Sequence, residues 1–353
     1  PSAGSNELFS ASDFAISTGA FMPTIGLYNS ATTKCILNAG QDSSFIQNKA
    51  SGSANASDGN GFGDFYYAPP TDFLACASPN IPTSSDIDPA GDDGDTDNNS
   101  KHFGVVTYTG NGSSNAITGL GFQPDLVWGK CISASQTGIL IDSSRGQGLL
   151  FSSLANAEQT SNGPFMTSYD SDGFTLASSG SNPNDSGRTY VAWCWRANGA
   201  STSSNSSGSI TSTVQANTKG GFSIMTYTGT GSNATIGHGL SAKPDFILTK
   251  RRSSEQTWGV YHTSLGATKY LALNSSAAAG TDSTFWNNTE PTTSVISLGT
   301  EGRVNQNSGT YVAYAWHSVS GFSRFGSFQG NADNDGTFVY TGFRPRMLFI
   351  KNT

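Results

Sequence analysis

Two long segments of this chain share short sequence phrases at a nearly constant spacing. Each segment contains Tyr-Thr-Gly near its start, Pro-Asp before an apolar run, and Tyr-Val-Ala near its end. The matching residues are offset by 119, 120 and 121 positions, in the pairs Tyr108 and Tyr227, Pro124 and Pro244, and Tyr190 and Tyr311. Chance similarity does not hold register over roughly a hundred residues, so this spacing predicts a domain duplication.

The composition favours strands over helices. Charged residues make up 12% of the chain, and most of its acidic residues are Asp rather than Glu. Helix surfaces are usually rich in Glu, Lys and Ala, whereas short strands joined by Gly, Ser, Thr and Asn turns suit this inventory. The first repeat holds about eight strand-like runs. We therefore predict an all-β chain of tandem antiparallel β-sandwich domains, of the jelly-roll or lectin-like kind.

The repeats and the polar stretches between them set the predicted domain boundaries. Repeat one spans residues 101–198, repeat two spans 220–320, and 321–353 is the start of a third, truncated copy. Residues 78–100 are rich in Pro, Ser and Asp, and residues 199–219 are rich in Ser, Thr and Asn. Both stretches are predicted to be linkers, because they contain few apolar residues.

Five motifs follow one another in repeat one. They are Tyr108 to Gly110, Gly121 to Lys130, Asp142 to Gly146, Ser168 to Leu176, and Tyr190 to Trp195. In this order they resemble a repeat of modular structural proteins from tailed bacteriophages, especially phages of marine bacteria. Repeat two keeps the motifs at both ends but has a different middle, in which His262 to Gly266 replaces the Asp-Ser-x-Arg-Gly motif.

The N-terminal region carries a second resemblance. Phe21 to Tyr28 and Lys34 to Asn38 read as two strands of a hairpin, and Gly61 to Cys76 contains an aromatic-Pro-Pro phrase. These phrases resemble the last strands and the exit of a SPRY-type β-sandwich in modular phage virion proteins. The resemblance implies that residues 1–77 are the C-terminal part of a SPRY-like domain.

The resemblance to phage proteins implies a non-enzymatic structural role in the virion. The expected place is a tail fibre or similar appendage on the extracellular particle surface, where the chain is an extended spacer or adhesin towards the host. The expected partners are other copies of the chain, commonly as a homotrimer, other virion proteins, and a host-surface glycan. A lectin-like receptor-binding module and a capsid decoration protein are the alternatives.

The sequence offers no convergent set of catalytic residues and implies no cofactor. Its His residues do not recur at matching positions of the two repeats. Asp142 with Arg145 fits a structural turn and ion pair better than a substrate clamp, and Asp170 with Asp172 fits a hairpin turn better than a glycosidase pair. We therefore predict that the chain is not an enzyme, with a phage glycan depolymerase as the alternative.

The middle of repeat two supplies residues of the kind that bind sugars. A sugar site on a β-sandwich uses exposed aromatic rings for stacking, and Asn or Arg side chains for the hydroxyl groups. The candidates are Arg251, Arg252, Trp258, Tyr261, Trp286 and Asn287. Trp258 and Tyr261 lie in a strand-like run, so the alternative that these rings belong to the core stays open.

Charge and hydropathy argue against two classes of partner. The net charge is −7 and no basic face is visible, so nucleic-acid binding is not expected. No apolar run approaches the length of a membrane span, so membrane insertion is not expected.

Asp93, Asp95 and Asp97 alternate like the first ligands of a calcium loop, but the Gly and Glu that complete such a loop are missing. A solvated acidic linker is the preferred interpretation, with weak calcium binding as the alternative.

Overall fold

The chain divides into two compact units, Pro1–Pro82 and Thr83–Thr353. A computed structural model of the protein describes residues 56–65, 68–69, 71, 75, 99–160, 165–178, 182–332 and 336–352. In the first unit, the carboxylate of Asp58 accepts hydrogen bonds from the backbone N–H groups of Asn60, Phe62 and Ala75, at 2.8–2.9 Å. The SPRY-like strands predicted at 21–38, and nearly all of the linker predicted at 78–100, lie outside the described residues.

The described part of repeat one contains the eight strands β1 (Phe103–Thr109), β2 (Asn115–Thr118), β3 (Leu126–Cys131), β4 (Ile139–Asp142), β5 (Leu150–Phe151), β6 (Met166–Asp170), β7 (Gly173–Leu176) and β8 (Thr189–Trp195). The larger sheet has the strand order β1-β8-β3-β4-β5, and the smaller sheet has the order β2-β7-β6. The last strand of the repeat therefore lies inside the larger sheet, between the first and the third. This position explains why Tyr190, Ala192 and Cys194 of β8 are fully buried.

Repeat two and the residues before it contain β9 (Ser203–Asn205), β10 (Ser212–Asn217), β11 (Phe222–Thr228), β12 (Ala234–Gly237), β13 (Phe246–Arg251), β14 (Gly259–His262), β15 (Lys269–Tyr270), β16 (Gly280–Thr281), α1 (Ser283–Trp286), β17 (Val295–Leu298), α2 (Gly302–Asn305) and β18 (Thr310–Trp316). The larger sheet has the order β14-β13-β18-β11-β10-β9, and β12 pairs with β17. Its β11-β18-β13-β14 part reproduces β1-β8-β3-β4 of repeat one. The predicted all-β class is confirmed.

The segment 199–219 differs from the linker that its composition predicts. It contains β9 and β10, and β10 pairs with β11 from Thr213 opposite Thr226 to Asn217 opposite Phe222. Val214 and Gln215 of β10 are 3% and 0% exposed. A polar segment becomes a strand here because the edge of β11 satisfies its backbone groups. Its side chains are covered on both faces, since Val214 packs in the core of repeat two and Gln215 donates hydrogen bonds to two serines of repeat one.

The larger sheets of the two repeats pack against each other. Leu126 and Trp128 of β3 share one buried cluster with Phe246 and Leu248 of β13 and with Tyr314 of β18. On its other face, the sheet of repeat one packs against β2, β6 and β7, and the sheet of repeat two packs against β12, β17 and both helices. The central sandwich thus forms between the repeats, so residues 83–353 are one unit and not separate sandwiches in series.

A stacked tyrosine pair explains why the two repeats share their first and last phrases. The rings of Tyr108 and Tyr190 lie 5.2 Å apart and nearly parallel, and the rings of Tyr227 and Tyr311 lie 5.0 Å apart in the same arrangement. Each pair joins the first strand of its repeat to the closing strand, since Tyr108 lies opposite Tyr190 and Tyr227 lies opposite Tyr311. Both phrases are therefore parts of one cross-strand contact.

A buried asparagine holds the loops of each repeat together. Asn184 and Asn305 are both 0% exposed. Each Nδ2 group donates two hydrogen bonds of 2.6–3.0 Å to backbone carbonyl groups, which belong to Ser113 and Ala177 in repeat one and to Ser232 and Gly299 in repeat two. Each asparagine lies six residues before the tyrosine of the closing phrase, Tyr190 or Tyr311, so the pair has the same 121-residue offset as that phrase.

The start of the third copy contains no strand in its described residues 324–332 and 336–352. Several of its apolar side chains are exposed, such as Phe338 at 86% and Leu348 at 71%.

In the part of the chain that the structure describes, no helix has the length and apolar character that a bilayer crossing requires.

Candidate functional site

The aromatic rings predicted to bind a sugar are buried. Trp258 is 0% exposed, and its Nε1 donates a hydrogen bond of 2.8 Å to the carbonyl oxygen of Phe151 in repeat one. Tyr261 and Trp286 are 0% and 1% exposed and meet edge to face inside the core of repeat two. The prediction that these three rings stack on a ligand is wrong, because each is covered by protein, and the core alternative holds.

The polar residues of the predicted site make contacts in separate places. The Nε of Arg252 donates to Glu158 of repeat one at 2.8 Å. Arg251 is half-buried and contacts Ser253. Asn287 is exposed and left-handed at the end of α1, where its Oδ1 accepts a hydrogen bond of 2.9 Å from Asn233. These residues do not join the three rings in an open site.

The acidic calcium candidates Asp93, Asp95 and Asp97 lie outside the described residues. Across the described ranges, no group of three or more His, Cys, Asp or Glu side chains is placed to hold a metal ion.

Asp170 and Asp172 lie at the β6–β7 turn, as predicted. The carboxylate of Asp172 accepts hydrogen bonds from the backbone N–H groups of Gly121 and Gly119, and these bonds lower the pKa of Asp172.

A buried charged network lies where the two repeats meet. The Arg145 side chain is 0% exposed, and its Nε lies 2.5 Å from Oδ2 of Asp142. Its Nη1 lies 2.5 Å from Oε1 of Glu158, whose other oxygen accepts the bond from Arg252. The hydroxyl of Tyr314 in repeat two donates to Asp142 at 2.6 Å. The predicted turn and ion pair of Asp142 and Arg145 is confirmed, and the network extends it across both repeats.

Burial and charge set the protonation of this network. Burial alone would lower the pKa of the Arg145 guanidinium, but Asp142, Tyr314 and Glu158 hold that pKa well above its usual value. Burial raises the pKa of the Tyr314 hydroxyl well above its ordinary value. Arg145 is therefore a buried cation between acidic partners, and Tyr314 is a neutral donor. Such a network stabilises one arrangement of the repeats only while every member keeps its partner.

His238, just after β12, is a buried neutral ring whose titration can be measured. Its Nδ1 accepts a hydrogen bond from the backbone N–H of Leu240, and its Nε2 lies 3.2 Å from the carbonyl oxygen of Thr292. Burial lowers the pKa of His238 from 6.5 to about 4. Protonation would put a proton on Nδ1 and break the bond from Leu240.

We expect this histidine to make stability depend on pH between about 6.5 and 4. In that range the unfolded chain binds a proton that the folded protein excludes, so the free energy of unfolding falls as the pH falls. The loss attributable to His238 is up to about 3 kcal/mol. Urea unfolding at several pH values should give a shallower dependence for His238→Gln than for the unchanged protein. An identical dependence in both proteins would contradict this assignment.

One open cavity of about 560 Å³ lies beside the packed sheets. Trp128 and Trp195 of repeat one and Phe246 and Trp316 of repeat two line it, together with residues 321–326, 341 and 343–349. Arg324, Arg344 and Arg346 are among the residues that line it. The sequence reasoning missed this cavity. Its signal in the sequence was the Trp residue that ends each closing strand, Trp195 and Trp316, and such a residue fits core packing equally well.

Comparison with known proteins gives one match. Residues 98–353 match the family described as a domain of unknown function, DUF7483. No curated protein and no solved structure matches the sequence. The matched residues comprise both complete repeats and the start of the third, and they cover more than half of the chain. The chain therefore belongs to the DUF7483 domain family.

Proposed function

We propose that this protein is a non-enzymatic structural module of a virus particle. It serves in a tail fibre or similar appendage as a spacer or adhesin that faces the host surface. It is exposed on the surface of the extracellular particle. Its partners are other copies of the chain, commonly in a homotrimer, and other virion proteins. This proposal grows out of the resemblance of the five motifs of repeat one to phage structural repeats.

The observation that supports the proposal is the way in which the repeats are joined. Two repeats that share a core and a buried network of Asp142, Arg145, Glu158 and Tyr314 resist bending better than two domains on a polar linker. Exposed appendages need stiffness and resistance to proteases, and a shared core provides both because neither repeat can open alone.

Receptor binding by a lectin-like site is the second candidate, and the cavity favours it. Aromatic faces stack on sugar rings, and guanidinium groups bind carboxylates in pairs of hydrogen bonds. Trp195, which is partly exposed, supplies the ring for stacking, and Arg324, Arg344 and Arg346 supply the groups for carboxylates. The preferred ligand of such a cavity is an acidic glycan.

Labelled antibodies against the chain, viewed on purified particles that contain it, test the structural proposal. We expect the label on the tail or its fibres. Label spread over the capsid shell would favour a decoration protein, and particles without label would refute the structural role.

A glycan array tests the second candidate. We expect acidic glycans to bind the unchanged protein, and we expect the Arg344→Ala variant to lose that binding. Release of sugar from a host polysaccharide would contradict both candidates.

A further inference from the structure

A lysine recurs at one position in all three copies of the repeat. Lys130, Lys250 and Lys351 each stand six residues after the proline that precedes the third strand of their copy. Lys130 belongs to β3 and Lys250 belongs to β13, and both strands are otherwise largely buried. An ammonium group in such a place needs hydrogen-bond acceptors, because burial removes the water around it.

Lys250 finds one of its acceptors in the preceding repeat. Its side chain belongs to a residue that is 0% exposed. Its Nζ donates a hydrogen bond of 2.7 Å to the carbonyl oxygen of Ala155 in repeat one, and another to the carbonyl oxygen of Gln256 in its own repeat. Burial lowers the pKa of Lys250 from 10.5 to about 8. The two carbonyl groups therefore take the place of water around the ammonium group.

Ala155 lies in the loop that follows β5, residues 152–158, which we call the docking loop of repeat one. The backbone N–H of Gln256 also donates to the carbonyl oxygen of Ala155, at 2.7 Å. The backbone N–H of Glu158 donates to the carbonyl oxygen of Arg252 at 3.0 Å. These contacts use the backbone of the docking loop, which residues of any type provide.

The lysine contact recurs between repeat two and the third copy. The Nζ of Lys351 donates a hydrogen bond of 2.9 Å to the carbonyl oxygen of Ala277. Ala277 lies in the docking loop of repeat two, residues 273–279. Counted from the paired leucine before each loop, Ala155 is the fifth residue and Ala277 is the sixth. The lysine therefore meets the same part of the loop in both places, although the two loops differ in sequence.

Apolar packing accompanies the lysine contact at both junctions. Phe349 stands two residues before Lys351, and its ring lies 6.0 Å from the ring of Trp128 and 6.1 Å from the ring of Phe246. The strand of Lys250 packs in the buried cluster that the two repeats share. Each lysine thus reaches its docking loop from a segment that already packs against a neighbouring copy.

We propose that this lysine is the docking residue of the repeat, which binds a backbone carbonyl in the docking loop of the preceding copy and so fixes how consecutive copies join. The partner that it fits is another copy of the same repeat, whatever the sequence of its loop. A charged donor suits this task because it forms stronger hydrogen bonds than a neutral one, and because a misplaced loop leaves a buried charge without acceptors. This assignment does not depend on a role in a virus particle.

Limited proteolysis of the whole chain by proteinase K, with the cleavage sites identified by mass spectrometry, tests the proposal. Lys250→Met should speed cleavage within residues 152–158 by about tenfold or more, because the loop loses a charged donor and opens more often. Lys351→Met should do the same within residues 273–279 and leave residues 152–158 unchanged. Each variant thus affects the preceding copy rather than its own.

Lys130→Met is the matched control. Lys130 holds the same place in repeat one, but its Nζ donates to the carbonyl oxygen of Cys131 in its own repeat, at 2.9 Å. We expect this variant to leave cleavage in both docking loops unchanged. The proposal fails if Lys250→Met and Lys351→Met leave their loops as resistant as in the unchanged protein, or if they speed cleavage equally throughout the chain. Should Lys250→Met not fold, Lys351→Met decides alone, since Lys351 is only partly buried.

Discussion

Replacement of Arg145 by methionine should lower the free energy of unfolding by about 3–5 kcal/mol. The side chains of Arg145 and Asp142 are 0% exposed, and that of Glu158 is 7% exposed. Methionine fills much of the space, but it leaves the fully buried Asp142 carboxylate without a cation and leaves Glu158 with Arg252 alone. The cost is large because an unpaired buried charge loses its hydration and gains nothing in exchange.

Arg188→Met is a close control for this prediction. Arg188 pairs with Asp185 at the same spacing of three residues, at 3.1 Å, but its side chain is 43% exposed. Water screens this pair, so we expect its loss to change the free energy of unfolding by about 1 kcal/mol or less. Urea unfolding of both variants gives the comparison. Equal effects would show that burial at the junction of the repeats does not matter.

Trp258→Ala should cost about 3–5 kcal/mol of unfolding free energy, because it opens a cavity between the repeats. The ring is fully buried and lies beside Tyr314, with a centroid separation of 6.4 Å. Its Nε1 bond to Phe151 also crosses the junction, so the variant loses packing and a hydrogen bond together. Thermal or urea unfolding measures the effect directly.

Two further variants separate the causes. Trp258→Phe keeps most of the packing and removes the Nε1 donor, so it should cost about 1–2 kcal/mol. Tyr340→Ala removes an aromatic ring that is 68% exposed and should change stability by less than about 0.5 kcal/mol. A sugar-binding Trp258 would give the opposite result, namely normal stability and lost glycan binding.

The strands of the repeats were predictable from the sequence because their pattern is local. The runs around Tyr108, Trp128 and Tyr190 are apolar or alternating and are bounded by Gly, Asn and Ser, and each forms a strand. The hairpin at Asp170 to Gly173 followed from its turn residues in the same way. Turn chemistry and side-chain alternation act over a few residues, so a single sequence carries them in full.

The candidate site was not predictable in the same way. Trp258, Tyr261 and Trp286 have the composition of a sugar site, and nothing in their neighbours shows that a second repeat or a helix covers them. β10 shows the same limit for a polar segment. Its residues predict an exposed linker, but in the folded chain it pairs with β11 and its Gln215 donates hydrogen bonds to repeat one. Exposure depends on contacts between residues far apart in the chain, and local pattern does not contain that information.

The sequence by itself determined the repeated phrases, the all-β class and the strand-like runs of repeat one. The tertiary structure decided that the repeats share a core and that Arg145 and Trp258 lie where the repeats meet. The physical reason is the strand order. The last strand of a repeat lies between the first and the third, so each sheet depends on pairing between residues about a hundred positions apart. Only the folded chain shows which strands pair.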